Sequence, residues 1–275
     1  MRTIVVTGAS SGLGLAAAER LAARGDQVVV VGRDPGRLDA AMARIRAAAT
    51  GPEPDEFRAD FTSLDQVRRL ADHVLAAYPA VDVLANNAGA MLGAYRRTED
   101  GLEATMAGNH LAPFLLTGLL RDALRGGRVV NTASQAHRRR RPGPEDFTWD
   151  PAAWHGWPAY CHSKAANILF TAEAARRWPD ILSVAFHPGV VRTNFATGTA
   201  VRVLWARNPL LTGSRKAGDL LTWLATAPAE ELRNGAYYVG RKVARPDSRL
   251  ADPALAARLW DASEEAVHAG RETAG

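Results

Sequence analysis

Short apolar runs rich in β-branched residues alternate along this chain with alanine-rich segments that have a helical period. The runs TIVVTG, QVVVVG, EFRAD, VDVLANNAG, GGRVVNTAS and ILSVAFHPG predict strands, and GAYYVG predicts one more. Most of these runs are apolar at nearly every position, which is typical of strands buried on both faces of a parallel sheet. The order therefore predicts an α/β fold, with a doubly wound parallel sheet of about seven strands in a single domain over residues 1–275.

Composition limits the environment in which such a chain works. A single cysteine excludes an intramolecular disulfide. The N-terminal MRTIVVTGAS enters a strand pattern at once, so we expect no signal peptide. No apolar run approaches the length of a membrane span. These features predict a cytoplasmic protein with no membrane span and, since one cysteine offers no ligand cluster, no metal.

The net charge of +5 raises the question of nucleic-acid binding. Most arginines, however, are scattered among alanines on helical patterns such as AAMARIRAAA. The one dense run, HRRRRPGP at residues 137–144, is short and ends in turn residues, which is typical of a solvated loop. We therefore expect no nucleic-acid partner. Two stretches without a period, residues 138–158 and 192–213, have a length that is typical of functional or mobile segments.

The first strand leads directly into a glycine-rich turn, TGASSGLG. Glycines at this spacing let the backbone turn sharply and bring N–H groups and a helix N-terminus against a pyrophosphate. A flexible turn without a ligand is the alternative. The placement between the first strand and the first helix favours a dinucleotide site built from Gly8, Ser10, Ser11, Gly12, Leu13 and Gly14.

The end of the second strand bears on the choice of cofactor. NAD-binding sites commonly place an acidic residue there for the ribose hydroxyls, whereas an arginine accommodates a 2′-phosphate. Here the strand ends at Gly32 and Arg33 follows, so the sequence favours NADP(H) over NAD(H). Asp34 leaves an alternative open. Its carboxylate could face the ribose, which would favour NAD(H), or it could cap the next helix.

The third and fourth strands also end in residues suited to a nucleotide. Asp60, followed by Phe61, could hold an adenine amino group. The small residues of Asn87, Ala88 and Gly89 would let the chain pass close to a flat cofactor. Ligands of open α/β sheets bind at the carboxyl ends of the strands, which is where all of these residues fall.

Tyr160 and Lys164 are four residues apart in a predicted helix and so share one face. A nearby ammonium favours the phenolate, which would lower the pKa of the tyrosine. Ser134 ends the fifth strand and could donate to a carbonyl oxygen, and Asn109 lies where a helix could bend around its amide and a bound water. The alternative is an incidental pair on an amphipathic helix. Together, the four side chains suit hydride transfer to or from a carbonyl.

These motifs stand in the order found in the short-chain dehydrogenase/reductase family, which the chain resembles over nearly its whole length. The resemblance implies a Rossmann fold, with Tyr160 as acid/base, Ser134 positioning the carbonyl and Asn109 anchoring a proton relay. It also implies that Lys164 binds the nicotinamide ribose and lowers the pKa of the tyrosine. The residues that it places around the nicotinamide carboxamide are Pro188, Gly189, Val191 and Thr193.

Longer phrases resemble the retinol dehydrogenase-like branch of that family, namely GNHLAPFLLTGLL, YCHSKAANILFTAEAARRW and FHPGVVRTNF. The segment between Ser134 and Tyr160 is richer in arginine and tryptophan than the branch pattern, so retinol is not the expected substrate. Candidate substrate contacts lie in the two irregular stretches or beside them: Gln135, His137, Trp154, Trp157, Asn194, Phe195 and Trp205.

The expected function is an NADP(H)-dependent oxidoreductase for a small apolar ketone, aldehyde or secondary alcohol. Two alternatives stay open at this point. One is an epimerase or dehydratase that recycles its bound cofactor, and the other is a non-catalytic NADP(H)-sensing regulator. A homodimer is among the expectations for the oligomeric state.

Overall fold

The computed structural model describes residues 1–139, 143, 147, 149–189 and 213–269. Within these residues, eight strands form one sheet flanked by helices. The strands are β1 (Thr3–Thr7), β2 (Gln27–Gly32), β3 (Asp55–Arg58), β4 (Val83–Asn86), β5 (Arg128–Thr132), β6 (Leu182–His187), β7 (Tyr237–Val239) and β8 (Lys242–Ala244). The helices are α1 (Gly12–Ala22), α2 (Pro35–Ala48), α3 (Leu64–Ala77), α4 (Ala104–Met106), α5 (Ala112–Leu119), α6 (Gly156–Arg177), α7 (Ser214–Thr226) and α8 (Pro253–Ala269).

The strand order is β3-β2-β1-β4-β5-β6-β7-β8, and all neighbours are parallel except β7 and β8. This confirms the predicted doubly wound sheet. The order reverses between β1 and β4, and such a switch point opens a crevice at the carboxyl ends of the strands. The additional strand, β8, pairs antiparallel with β7 across a tight turn at Gly240, whose φ is +58°.

Side chains of the central strands alternate between two buried layers. Ile4 and Val6 of β1 pack in the layer that contains residues of α1, α2 and α7. Val5 of the same strand packs in the other layer, with residues of α3, α5, α6 and α8. Because both faces of the sheet are covered, nearly every strand position must be apolar. This is the physical origin of the continuous apolar runs in the sequence.

The segment predicted as one long helix, EATMAGNHLAPFLLTGLLRDAL, is interrupted. A π-helical turn, Ala107–Leu111, separates α4 from α5. Pro113 follows at the start of α5 and has no N–H to donate to the carbonyl of Asn109 four residues earlier. Turns of this kind are frequent at functional sites, and this one carries Asn109.

The irregular stretches differ in how much of them the structure describes. Helix α6 begins at Gly156, four residues before Tyr160, so the first stretch is shorter than predicted. Of residues 192–213, only Gly213 belongs to the described part of the chain. Among the described residues, no helix is long and apolar enough to cross a membrane, and no cluster of metal-ligating side chains is found.

Candidate active site

The glycine-rich turn between β1 and α1 is packed so closely that it excludes larger side chains. Gly8 has a φ of +65°, in the left-handed region that favours glycine. At Gly14, a Cβ atom would lie 2.5 Å from both the Asn87 side chain and the Gly8 carbonyl oxygen. The turn therefore brings bare backbone beside the start of α1, which is the arrangement that a pyrophosphate requires.

A cleft of about 340 Å³ lies beside this turn. Ser10 and Ser11 line it from the turn, and Arg37 and Arg44 line it from α2. Hydroxyl groups opposite guanidinium groups suit an anionic ligand. Leu13 is buried in the core under α1 instead, so only its backbone is available to a cofactor.

The three residues at the end of β2 have distinct positions. Asp34 caps α2, and its carboxylate accepts a hydrogen bond from the Arg37 N–H at 2.9 Å. Arg33 has a side chain that is 67% exposed. A Cβ atom at Gly32 would lie 2.9 Å from the Ser10 Cβ, so this strand end has little room for a carboxylate. Of the alternatives left open by the sequence, the structure gives Asp34 the capping role.

Asp60 lies two residues beyond β3, close to the Arg33 guanidinium at 3.5 Å. One carboxylate oxygen accepts bonds from the Thr62 N–H at 2.9 Å and from the Thr62 hydroxyl at 2.8 Å. Burial raises the pKa of Asp60, but the Thr62 bonds and the charges of Arg33 and Arg96 together lower it below its usual value. The group is therefore an ionised acceptor at neutral pH. Phe61, beside it, packs into the core.

The chain after β4 is fastened to the end of β1. The Thr7 hydroxyl accepts bonds from the N–H groups of Asn87 at 2.9 Å and Ala88 at 3.0 Å. The following residue, Gly89, passes so close to Asn109 that a Cβ atom would lie 3.0 Å from its amide oxygen. The small residues predicted to admit a flat cofactor thus also allow this close approach of the backbone.

Asn109 uses its whole amide to connect the loop after β4 with α6. Its oxygen accepts from the Ala90 N–H at 2.9 Å. Its nitrogen donates to the Ala90 carbonyl at 2.9 Å and to the Ser163 hydroxyl at 3.0 Å. The bend predicted around this residue is present, and the proposed relay through bound water remains a prediction.

Tyr160, Lys164 and Ser134 meet where β5 ends beside α6. The Lys164 ammonium is 5.5 Å from the centre of the Tyr160 ring and donates to the Thr132 carbonyl at 3.0 Å. The Tyr160 hydroxyl is hydrogen-bonded with Ser134. Both α6 side chains are buried, with Tyr160 7% and Lys164 2% exposed. The four-residue spacing therefore does place them together.

The net pKa of Tyr160 lies above its ordinary value although Lys164 is nearby. Burial raises the pKa of Tyr160, and the hydrogen bond with Ser134 offsets only part of this rise. Burial lowers the pKa of Lys164 to about 8. Removing a charge from water disfavours it, so burial favours the neutral form of both groups. The phenol of the protein without cofactor therefore keeps its proton at neutral pH.

Residues after β6 are described only in part. Pro188 and Gly189 follow the strand, and Gly189 has a φ of +87°. The other residues predicted here for cofactor or substrate lie outside the described residues: Val191, Thr193, Asn194, Phe195 and Trp205.

The candidate substrate residues near Tyr160 divide into two groups. Trp157 is 47% exposed, with its ring 5.9 Å from that of Tyr160, and Gln135 is also exposed. His137 is fully buried and bonded to the Ser134 carbonyl at 2.6 Å. Trp154 is buried as well, and its N–H donates to Glu103 at 3.2 Å. Burial and these bonds favour a packing role for the latter two.

Sequence reasoning missed Tyr237 on β7. It is 3% exposed, and its hydroxyl has no hydrogen-bond partner among the described residues. Its ring packs edge-on against His137 with centres 5.3 Å apart. Burial raises the pKa of Tyr237, and the nearby Tyr160 raises it further, which places the two phenols in one neighbourhood. The sequence did contain a signal for this residue. Side chains alternate between the two faces of a strand, so only one of the two tyrosines in GAYYVG can face α6.

Comparisons with known proteins agree with this geometry. The family described as short chain dehydrogenase matches residues 2–201. A protein of Streptomyces sp. (strain C5) that is named as a daunorubicin C-13 ketoreductase is 48% identical to this chain. The match covers 97% of this chain and 92% of the Streptomyces protein. Human retinol dehydrogenase 13 is 34% identical over 97% of this chain and 84% of its own.

A solved structure extends the comparison to a bound nucleotide. The short chain dehydrogenase from Burkholderia cenocepacia J2315, in complex with NADP, is 28% identical with a TM-score of 0.67, covering 86% of this chain and 94% of its own. The chain therefore belongs to the short-chain dehydrogenase/reductase family, in its retinol dehydrogenase-like branch, and is an oxidoreductase acting on a CH–OH or C=O group.

Proposed function

We propose that this protein is an NADP(H)-dependent oxidoreductase for an apolar ketone, aldehyde or secondary alcohol, with Tyr160 as acid/base. The observation that carries the proposal is the meeting of Tyr160, Ser134 and Lys164 at the carboxyl end of β5. A proton donor, an orienting hydroxyl and a cation stand within one site. That set suits proton transfer to a carbonyl oxygen during reduction.

In this mechanism a bound nicotinamide would supply or accept the hydride. Ser134 orients the carbonyl by donating a hydrogen bond to its oxygen. The protonated Tyr160 donates its proton to the same oxygen in reduction, and takes it back in oxidation. Lys164 would hold the ribose hydroxyls of the cofactor, and its charge would favour the phenolate that Tyr160 becomes.

The residues that would hold the cofactor follow the carboxyl edge of the sheet. The turn from Gly8 to Gly14 would hold the pyrophosphate, because it brings backbone N–H groups beside the start of α1. Arg33 would bind the 2′-phosphate and Asp60 the adenine amino group. Asn87, Ala88 and Gly89 would lie along the cofactor, and Pro188, Gly189, Val191 and Thr193 would flank the carboxamide.

Three features support NADP(H) over NAD(H). Asp34 is engaged as the cap of α2, Gly32 has little room for a carboxylate, and Arg33 is exposed. A planar guanidinium at this strand end matches a phosphate in shape and charge. The NADP complex of the Burkholderia relative supports the same choice.

An apolar substrate is supported by the surface beside Tyr160. Trp157 presents an exposed ring there, and the partly buried Met91 packs against the cluster of Ala136, Tyr160 and Cys161. Two relatives are named as a ketoreductase and a retinol dehydrogenase. Gln135 would contact the substrate as a polar neighbour of Ser134.

The test of this function is nicotinamide absorbance in the presence of a panel of apolar ketones and aldehydes. We expect net consumption of NADPH. A cofactor-recycling epimerase or dehydratase would convert its substrate without net consumption, and a sensor would bind NADPH without converting any carbonyl. Light scattering would test the expected homodimer, and cell fractionation the cytoplasmic location.

Cofactor preference gives the first variant prediction. Arg33→Ala is expected to weaken NADPH binding by roughly tenfold to a hundredfold, the scale of a hydrogen bond to a charged group, with little change for NADH. Dissociation constants of both nucleotides measure this. Arg125→Ala is the control, since that side chain is also exposed, at 63%, but precedes β5 on the opposite edge of the sheet. Tighter binding of NADH by the wild type, or unchanged NADPH affinity in Arg33→Ala, would contradict the assignment.

A further inference from the structure

Asn167 lies three residues after Lys164 on α6, and its buried amide bridges two sides of the site. The amide nitrogen donates to the Asn109 carbonyl at 2.9 Å and to the Thr132 carbonyl at 3.2 Å. The Lys164 ammonium donates to the same Thr132 carbonyl at 3.0 Å. One side chain therefore connects the π-helical turn, the end of β5 and the acceptor of the buried lysine.

The orientation of this amide follows from its neighbours. Both backbone carbonyls can only accept, so the NH₂ group of Asn167 must face them. Its oxygen must then face His110, whose Nδ1 lies 3.2 Å away. Because that oxygen can only accept, His110 must carry a proton on Nδ1. The protonation of the ring is thereby fixed by a hydrogen-bond pattern on the other side of Asn167.

The second nitrogen of His110 reaches the C-terminal helix. The ring is fully buried, and burial lowers its pKa to about 4, so it is neutral at physiological pH. A neutral ring with a proton on Nδ1 has a bare Nε2, which needs a donor. The Ser263 hydroxyl of α8 lies 2.9 Å from it. The Ser263 hydroxyl has one proton, which it can donate either to His110 or to the Leu259 carbonyl at 2.7 Å. We favour donation to His110, because a carbonyl within a helix already accepts a backbone hydrogen bond.

We propose that Ser263, His110 and Asn167 form a positioning chain that runs from α8 to the Lys164 and Asn109 groups and keeps both in place. The inference rests on the proposed function for the roles of Lys164 and Asn109. The absence of an N–H at Pro113 leaves the Asn109 carbonyl without its usual α-helical donor, and Asn167 supplies one. No member of the chain is placed against reacting atoms, so each acts through another residue.

The first test needs no turnover. Long-range ¹H–¹⁵N spectra report which ring nitrogen of a histidine carries the proton, and the His110 signals are assigned by their loss in His110→Gln. We expect a neutral ring protonated on Nδ1 throughout pH 5.5–8, and an altered ring signal in Ser263→Ala. A ring protonated on Nε2, or one that titrates within this range, would overturn the chain. This result does not depend on the proposed cofactor or substrate.

The second test uses turnover. Ser263→Ala should lower kcat by roughly threefold to tenfold, the scale of one hydrogen bond, with KM nearly unchanged. Ser263→Thr keeps the hydroxyl and should retain wild-type kcat. Val267→Ala is the matched control, because it removes buried volume from the same helix and leaves the hydrogen bonds of the chain in place. It should lower stability and leave kcat per folded molecule unchanged. Wild-type kcat in Ser263→Ala, or an equal loss in Val267→Ala, would show that α8 contributes stability alone.

Discussion

Tyr160→Phe is expected to lower turnover by about 10²–10⁴-fold, the range of general acid–base catalysis, with NADPH affinity nearly unchanged. The substitution keeps the ring that packs against Trp157 and removes only the hydroxyl that is bonded to Ser134. Since burial raises the pKa of Tyr160, its proton is present at neutral pH and available for donation. Steady-state kinetics and cofactor titration of the same preparations measure the two quantities separately.

Tyr78→Phe is the matched control for this variant. Its hydroxyl donates to Asp55 at 3.2 Å, at the end of α3 and away from Ser134, so its loss should leave turnover intact. Near-normal turnover by Tyr160→Phe would assign the proton to another group. Equal losses in both variants would indicate a general effect of removing a phenol hydroxyl.

The sheet could be predicted from the sequence because its strands are buried on both faces. In QVVVVG, the four valines are all buried, and an apolar run of this kind is typical of a strand covered on both faces. The short strand β8 left no such pattern, since Lys242 and Val243 are exposed at the sheet edge. The break at Asn109 was only partly visible, because the bonds of its amide to Ala90 and Ser163 depend on the tertiary fold.

In the site too, contacts between residues close in sequence could be predicted, and contacts between residues far apart in sequence could not. A four-residue spacing was enough to place Tyr160 beside Lys164, and glycine spacing was enough to predict the turn at Gly8. Spacing did not predict that burial raises the pKa of Tyr160, because spacing reports neighbouring residues and not the loss of water around them. The contact of His110 with Ser263 joins residues 153 positions apart, and neither motif signals the other.

Lys164→Met should lower turnover at least about a hundredfold and also weaken cofactor binding. The variant removes the cation that favours the ionised form of Tyr160 and the donor proposed for ribose hydroxyls. Lys216→Met, at an exposed position of α7, is the control and should change neither quantity. Unchanged turnover together with unchanged cofactor affinity in Lys164→Met would show that Lys164 has no part in the reaction.

The same variant is expected to be more stable than the wild type when no cofactor is bound. Burial lowers the Lys164 pKa from 10.5 to about 8, so holding its charge inside the fold costs roughly 3 kcal/mol at pH 7. The unfolded chain binds the proton more tightly, so this cost is complete below pH 8 and disappears as the pH rises toward 10.5. Met fills a similar volume without charge, and the Thr132 carbonyl retains its bond from Asn167.

Urea unfolding of both cofactor-free proteins, at pH 7 and again near pH 10, measures this difference. We expect the free energy of unfolding of Lys164→Met to exceed that of the wild type at pH 7, and the gap to narrow at pH 10. If the variant is less stable than the wild type at pH 7, or if the difference in free energy of unfolding does not change with pH, then the buried charge of Lys164 does not cost stability. If Lys164→Met gains stability and loses turnover, Lys164 is retained for its function and not for packing. Replacing a residue that served packing alone would lower both stability and turnover.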